Sequence, residues 1–265
     1  MMSGKVIRLG RIFRKTTGKA VIIALDHGRR HGPIKGIEKF RELVAKLVNA
    51  DIDGVMATPS MIEKVADIVA GRVAVVARID GTGTIKSPDE TDDRLIASVE
   101  RAIRVGADSV SVMLYPGSER EVQLWEKLAR VVEEADYYGI PVLAEVIPRP
   151  PNLPNKLDPE AIAYGSRIAS ELGADIIKTL YPGNKESFRD IVDKVPVPIL
   201  VLGGPKSESF TAFLSMVKDA VDSGAKGAVI GRNVFQQDDP VKAANALAMI
   251  VHKGASPEES LESLS

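Results

Sequence analysis

The chain predicts an α/β fold, a single (β/α)8 barrel of the TIM-barrel type with a short N-terminal helix, spanning residues 1–265 as one domain. Short β-branched runs alternate with longer amphipathic stretches from end to end, and there are eight of each. The short runs are apolar throughout, as in parallel strands covered on both faces. No linker-like segment divides the chain, and 265 residues with 45% hydrophobic content are enough for one large core. A doubly wound open sheet is the competing arrangement. The glycine fingerprint that its nucleotide-binding first turn carries is missing after the first strand.

In chain order, strands are predicted over 20–26, 54–58, 73–79, 109–114, 141–147, 175–180, 198–204 and 227–231. The helix-like stretches are 36–50, 60–70, 88–105, 118–138, 158–172, 185–194, 208–223 and 240–253. Four of them run into a glycine turn, at Gly106, Gly139, Gly173 and Gly224, where glycine lets a helix stop and turn back toward the sheet. Ahead of the first strand, residues 6–13 form an amphipathic helix suited to plugging the bottom of the barrel. After the fifth strand, Pro150, Pro151 and Pro154 stiffen a loop at 148–157 into an extended path across the barrel mouth. Residues 254–265 read as an exposed helix or a frayed end.

Composition removes several classes of function. With 35 basic against 36 acidic residues, nucleic acid and a polybasic membrane contact are not expected as partners. The absence of cysteine excludes disulfides, thiolate catalysis and cysteine zinc sites. Only His27, His31 and His252 are available as imidazole ligands, so no metal site is expected. No apolar run approaches membrane-span length and the first residues lack a signal-peptide core, which points to the cytoplasm.

A barrel of this kind builds its active site at the C-terminal ends of its strands, so those ends hold the candidates. The sixth carries Lys178 inside an apolar run, before a Tyr181-Pro182-Gly183 loop. Partial desolvation there favours the neutral amine that attacks a carbonyl, whereas the structural alternative is a lysine that snorkels to water or pairs with a carboxylate. Asp26, ending the first strand, is a proton-transfer partner for Lys178 or else a salt-bridge partner of Arg29, Arg30 or Lys178. His27 and His31 are candidates to join Asp26 as metal ligands, or to orient substrate. Gly203-Gly204 after the seventh strand and Gly231-Arg232 after the eighth suit a phosphate, through approachable backbone N–H groups, a helix N-terminus and one guanidinium. Arg149 and Tyr181, in the loops after the fifth and sixth strands, join these as substrate-contacting candidates. Glu145 and Ile147 share the mouth-facing side of the fifth strand by two-residue alternation. Amid apolar neighbours, Glu145 is expected to have a raised pKa, or to pair with Lys178, Arg78 or Arg149.

The motifs LGRIF (9–13), ALDHG (24–28), GPIKG (32–36), GADIIKT (173–179), GGPK (203–206) and GRNVFQ (231–236) run in order along nearly the whole chain. In them the sequence resembles the archaeal-type class I aldolases, which include fructose-1,6-bisphosphate aldolase and the transaldolase-like 2-amino-3,7-dideoxy-D-threo-hept-6-ulosonate synthase. The resemblance implies Lys178 as the Schiff-base lysine, Asp26 as the proton acceptor, and Gly203, Gly204, Gly231 and Arg232 as the phosphate cradle. It also implies a phosphorylated sugar as substrate, no cofactor beyond the lysine imine, and a homo-oligomer, in the family a decameric ring. One departure stands out: the family's general-acid tyrosine before Pro-Arg is Ile147 here. Glu145 is the residue placed to take over that task. A phosphorylated-diketone thiolase-like enzyme, or a sugar-phosphate-binding barrel without lyase activity, is the alternative that this departure raises.

Overall fold

The structure, a computed structural model, describes residues 3–262. Its eight strands are β1 (Ala20–Ala24), β2 (Gly54–Ala57), β3 (Ala74–Arg78), β4 (Ser109–Leu114), β5 (Val142–Val146), β6 (Ile176–Thr179), β7 (Ile199–Leu202) and β8 (Gly227–Ile230). All pairs are parallel and the sheet closes in sequence order, with β8 returning to β1. Every strand residue is buried, because the inner face fills the barrel and the outer face meets the helices. No described helix is long and apolar enough to cross a membrane.

Alternation along the strands decides what fills the interior. Ala20, Ile22 and Ala24 of β1 pack with Met56, Ala74, Val76, Leu143, Ile176, Leu200 and Val229 in one inner cluster. The N-terminal helix, Ser3–Ile12, closes the lower end: Ile12 is fully buried in this cluster, with Leu9 and Phe13 against it. Lys5 on the same helix pairs with Asp175 at 2.9 Å, just before β6, and ties the plug to the barrel rim. Two residues further up each strand the same inner face turns polar, at Asp26, Arg78, Glu145 and Lys178. The apolar floor and the charged mouth are thus consecutive layers of one alternating pattern.

Several helices are shorter than the periodicity predicts. The first runs from Phe40 to Leu47, the second breaks into Pro59–Glu63 and Ala66–Val69, and the stretch over 240–253 ends in a π-turn at Met249–Lys253. The largest correction concerns 88–105, where only Val99–Arg104 is helical and Ser98 caps it by accepting from the Arg101 N–H at 3.0 Å. The residues before it form a loop beside the mouth. Asp side chains there accept from nearby backbone, as when Asp93 accepts from the Gly83 N–H at 2.9 Å and Asp89 from the Thr91 N–H at 2.8 Å, which competes with helix formation, and Pro88 has no N–H to give to a helix. Gly139 ends the long helix Glu121–Tyr138 with a left-handed φ of 63°, as the glycine turn predicts. The tail is helical over Pro257–Glu262, and its last three residues lie outside the described residues.

Replacing Ile12 by Ala removes a fully buried side chain from the barrel floor, where strands on all sides prevent collapse. Urea unfolding should show a loss of about 2–5 kcal/mol, with catalysis per folded molecule unchanged because the site lies at the other end. An unchanged unfolding midpoint would remove the plug from the core.

Candidate active site

A cavity of about 170 Å³ opens at the C-terminal ends of the strands, and Asp26, His27, Met113, Glu145, Ile147, Lys178 and Arg232 converge on it. A larger hollow of about 760 Å³ lies at the opposite end, around Arg11, Arg14, Asp53 and Asp108. Its three arginines already have partners, Arg11 on Asp108 at 3.0 Å, Arg14 on Asp53 at 2.9 Å and Arg72 on the Asn49 side-chain oxygen at 2.7 Å. The reactive side chains belong to the smaller cavity.

Lys178 stands on β6 in register with Glu145 on β5, which is in turn in register with Met113 on β4. This layer places the Lys178 Nζ 2.9 Å from the Glu145 Oε1, with both residues buried. The other carboxylate oxygen of Glu145 accepts from Arg78. Arg78 is fully buried at the end of β3, and it also donates through Nε to Asp26 Oδ2 at 3.0 Å and lies 3.4 Å from Asp80 Oδ1. Asp80 is completed from outside the barrel. Lys127, reaching in from the helix Glu121–Tyr138, binds its Oδ2 at 2.6 Å, and the Met113 N–H donates to the same oxygen at 2.6 Å.

These contacts overturn the expectation that Glu145 has a raised pKa. Burial does push its carboxyl up, but Lys178 and Arg78 pull it down further, and the net direction is below the ordinary value. Glu145 is therefore an ion-pair partner of both cations. Asp26 behaves alike: burial opposes its charge, while Arg78, His27, Lys178 and Arg29 favour it and hold the carboxyl well below the usual range. His27 moves down to about 4, chiefly by burial and against the pull of Asp26, with Lys178 and Arg232 adding repulsion. At neutral pH its ring is uncharged; it sits edge-on to Phe235 at 5.2 Å between centroids, and its Nδ1 has no hydrogen-bond partner.

Gly203, Gly204, Gly231 and Arg232 line the same wall of the cavity, as the glycine pairs predict. Gly231 has no room for a side chain, since a Cβ there would lie 2.2 Å from the His27 ring. The helix after it is a single turn, Arg232–Phe235, so the positive potential comes mainly from the guanidinium. Arg29, Arg30, Arg78 and Arg149 all face carboxylates at the mouth, whereas Arg232 has none and its buried Nε has no partner among the described residues. Among the described residues lining the cavity, that leaves the Arg232 guanidinium available to an anion from outside.

Arg149 lines the cavity, with its guanidinium 5.2 Å from the centre of the Tyr115 ring. Tyr181 does not. It lies past the end of β6, in the outer core cluster that holds Ile177, and packs edge-on against Phe188 at 5.4 Å. His27 and His31 stack with centroids 6.2 Å apart, and no three His, Asp or Glu side chains converge in metal-binding geometry among the described residues. Arg78 is the Glu145 partner that the sequence offered, and Lys127 goes beyond the residues that the sequence singles out. Arg78 was legible by alternation with Ala74 and Val76. Lys127 gave no signal, because a lysine on an amphipathic helix is ordinarily solvated.

Comparison with known proteins fits this geometry. Residues 20–237 match the model of the DeoC/LacD family aldolases. An uncharacterized aldolase of Saccharolobus solfataricus is 37% identical over 273 residues, 99% of this chain and 100% of that protein. The 2-amino-4,5-dihydroxy-6-oxo-7-(phosphonooxy)heptanoate synthase of Streptomyces griseus is 34% identical over 93% of this chain and 89% of its own length. Among solved structures, an archaeal fructose 1,6-bisphosphate aldolase superposes with a TM-score of 0.86 at 35% identity, covering 94% of this chain and 99% of that one. Another, with its catalytic lysine bound covalently to the carbinolamine intermediate of the substrate, gives a TM-score of 0.86 at 34% identity over 93% and 98% of the two chains. The barrel, the buried lysine at its mouth and these matches agree, and the chain belongs to the DeoC/LacD family of aldolases.

Proposed function

We propose that this aldolase works through an imine on Lys178 and acts on a ketone adjacent to a phosphorylated carbon. The observation that carries the reading is the pairing, in one small cavity, of a buried amine held by a carboxylate with a lone unpaired guanidinium. The printed names of the relatives supply the substrate class. Fructose 1,6-bisphosphate and the oxo-(phosphonooxy)heptanoate both carry a ketone one carbon from a phosphate ester.

In this reading the phosphate binds between Gly203-Gly204 and Gly231-Arg232, which brings the ketone to Lys178. The amine adds to the carbonyl carbon and the oxygen leaves as water, giving an iminium. Asp26, held ionised by Arg78, accepts the proton of the hydroxyl whose carbon is to be released, and the C–C bond breaks. Its electrons pass into the iminium and leave an enamine. A carboxyl with so low a pKa returns its proton readily, and protonation of the enamine carbon followed by hydrolysis frees Lys178. The iminium is the electron sink, so the route calls for no metal or organic cofactor. His27, uncharged, is suited to a single hydrogen bond with substrate.

Lys178→Met should abolish turnover and borohydride trapping with dihydroxyacetone phosphate, fructose 1-phosphate and fructose 1,6-bisphosphate, while circular dichroism stays native; retained turnover would end the imine reading. Arg232→Ala should weaken phosphorylated substrates by about 1.5–3 kcal/mol and leave unphosphorylated ketoses little changed. Equal losses for both kinds would take Arg232 out of the phosphate site. The His27 ring should titrate by NMR with a midpoint near 4 instead of its ordinary 6.5. Between those values the unfolded chain binds more protons, so stability should fall as pH drops from 6.5 to 4 by about 3 kcal/mol from this group. A midpoint at or above 6.5 would contradict the buried, neutral ring.

A further inference from the structure

Glu145 is a buried carboxylate at the mouth with both oxygens in ion pairs, and the steps above give it nothing to do. Its two oxygens are divided: one meets the Lys178 Nζ at 2.9 Å and the other is taken by Arg78. Arg78 cannot swing away, because Asp26 holds its Nε at 3.0 Å and Asp80 lies against its other side. Asp80 is fixed in turn by Lys127 at 2.6 Å. Four cations (Lys178, Arg78, Arg29, Lys127) and four anions (Glu145, Asp26, Asp93, Asp80) therefore alternate in one contiguous buried network. The charges balance when Lys178 carries a proton.

Imine formation keeps that balance. An ammonium and a ketone become an iminium and a water: the C–N bond forms, the C–O bond breaks, and the positive charge stays on the same nitrogen. Only the unprotonated imine, which is a poor electron sink, leaves the carboxylate without its counterpart. We propose that Glu145, clamped by Arg78, is the fixed counter-charge of the Lys178 imine and keeps that nitrogen protonated while the C–C bond breaks. Arg78 is a positioning residue in this arrangement: it spends one Glu145 oxygen and so aims the other at Nζ. The inference rests on the imine reading, and it replaces the role of proton donor that the sequence suggested for Glu145.

The test is borohydride trapping of dihydroxyacetone phosphate, fructose 1-phosphate and fructose 1,6-bisphosphate across pH, with the reduced adduct read by intact-protein mass spectrometry. Hydride reduces the protonated imine fastest, so the alkaline limb of trapping reports the loss of the iminium proton. In Glu145→Gln that limb should move to lower pH by about 1–3 units, the effect of removing an opposite charge at contact distance, with trapping at acid pH retained. Glu145→Asp keeps the charge and should keep most of the limb. Glu145→Met serves if the Gln variant does not fold. A wild-type limb in the neutralised variant, or an Asp variant that shifts as far as Gln, would overturn the counter-charge. Absence of any adduct in the wild-type protein would instead overturn the imine reading, and the counter-charge with it.

Discussion

A guanidinium with no access to solvent sits at the mouth of the barrel, and much of the site follows from the need to neutralise it. Removing Arg78 from water costs several kcal/mol unless its donors are matched by acceptors, and Asp26, Glu145 and Asp80 are those acceptors. Each comes from a different strand end, so the three carboxylates hold β1, β3 and β5 at one spacing around a common centre. The same contacts decide ionisation. Carboxyls that burial alone would keep protonated are held as anions by the cations beside them.

The barrel separates stability from chemistry along its axis. Its floor is apolar and closed by Ile12, so the lower layers contribute burial without polar groups to satisfy. The next layers carry the charges, and there the packing is tight enough to exclude side chains altogether at Gly231, where His27 crosses. Lys127 shows how far the arrangement reaches. From the helix Glu121–Tyr138 its Nζ reaches Asp80 and the carbonyls of Asp93 and Met113, tying that helix to the charged layer.

At the position after β5, Ile147 contributes no polar atom to the cavity, and the group two residues before it is already committed as an ion pair. Proton traffic in the proposed reaction therefore falls to Asp26, to water and to the substrate's own hydroxyls. In the same proposal the substrate's phosphate is placed by the Arg232 guanidinium, whose Nε has no partner among the described residues, and this directs the adjacent ketone toward Lys178.

The sequence by itself determined the number and order of strands, the apolar plug, and which side chains of each strand point inward, because these follow from local alternation and the buried period of parallel strands. Lys178, Glu145, Ile147 and the two glycine pairs were legible for that reason. Tyr181 lies away from the cavity because the loop after β6 packs its ring into the outer core against Phe188, which no strand pattern encodes. The stretch over 88–105 is helical only at its end because its helical spacing competes with Ser and Asp side chains that bond the backbone locally, and Pro88 lacks the N–H a helix would use. Only the tertiary structure decided the ionisation of Glu145 and the parts played by Arg78 and Lys127. Charge state in a buried network depends on which cations arrive from elements distant in the chain, and no local pattern encodes that meeting.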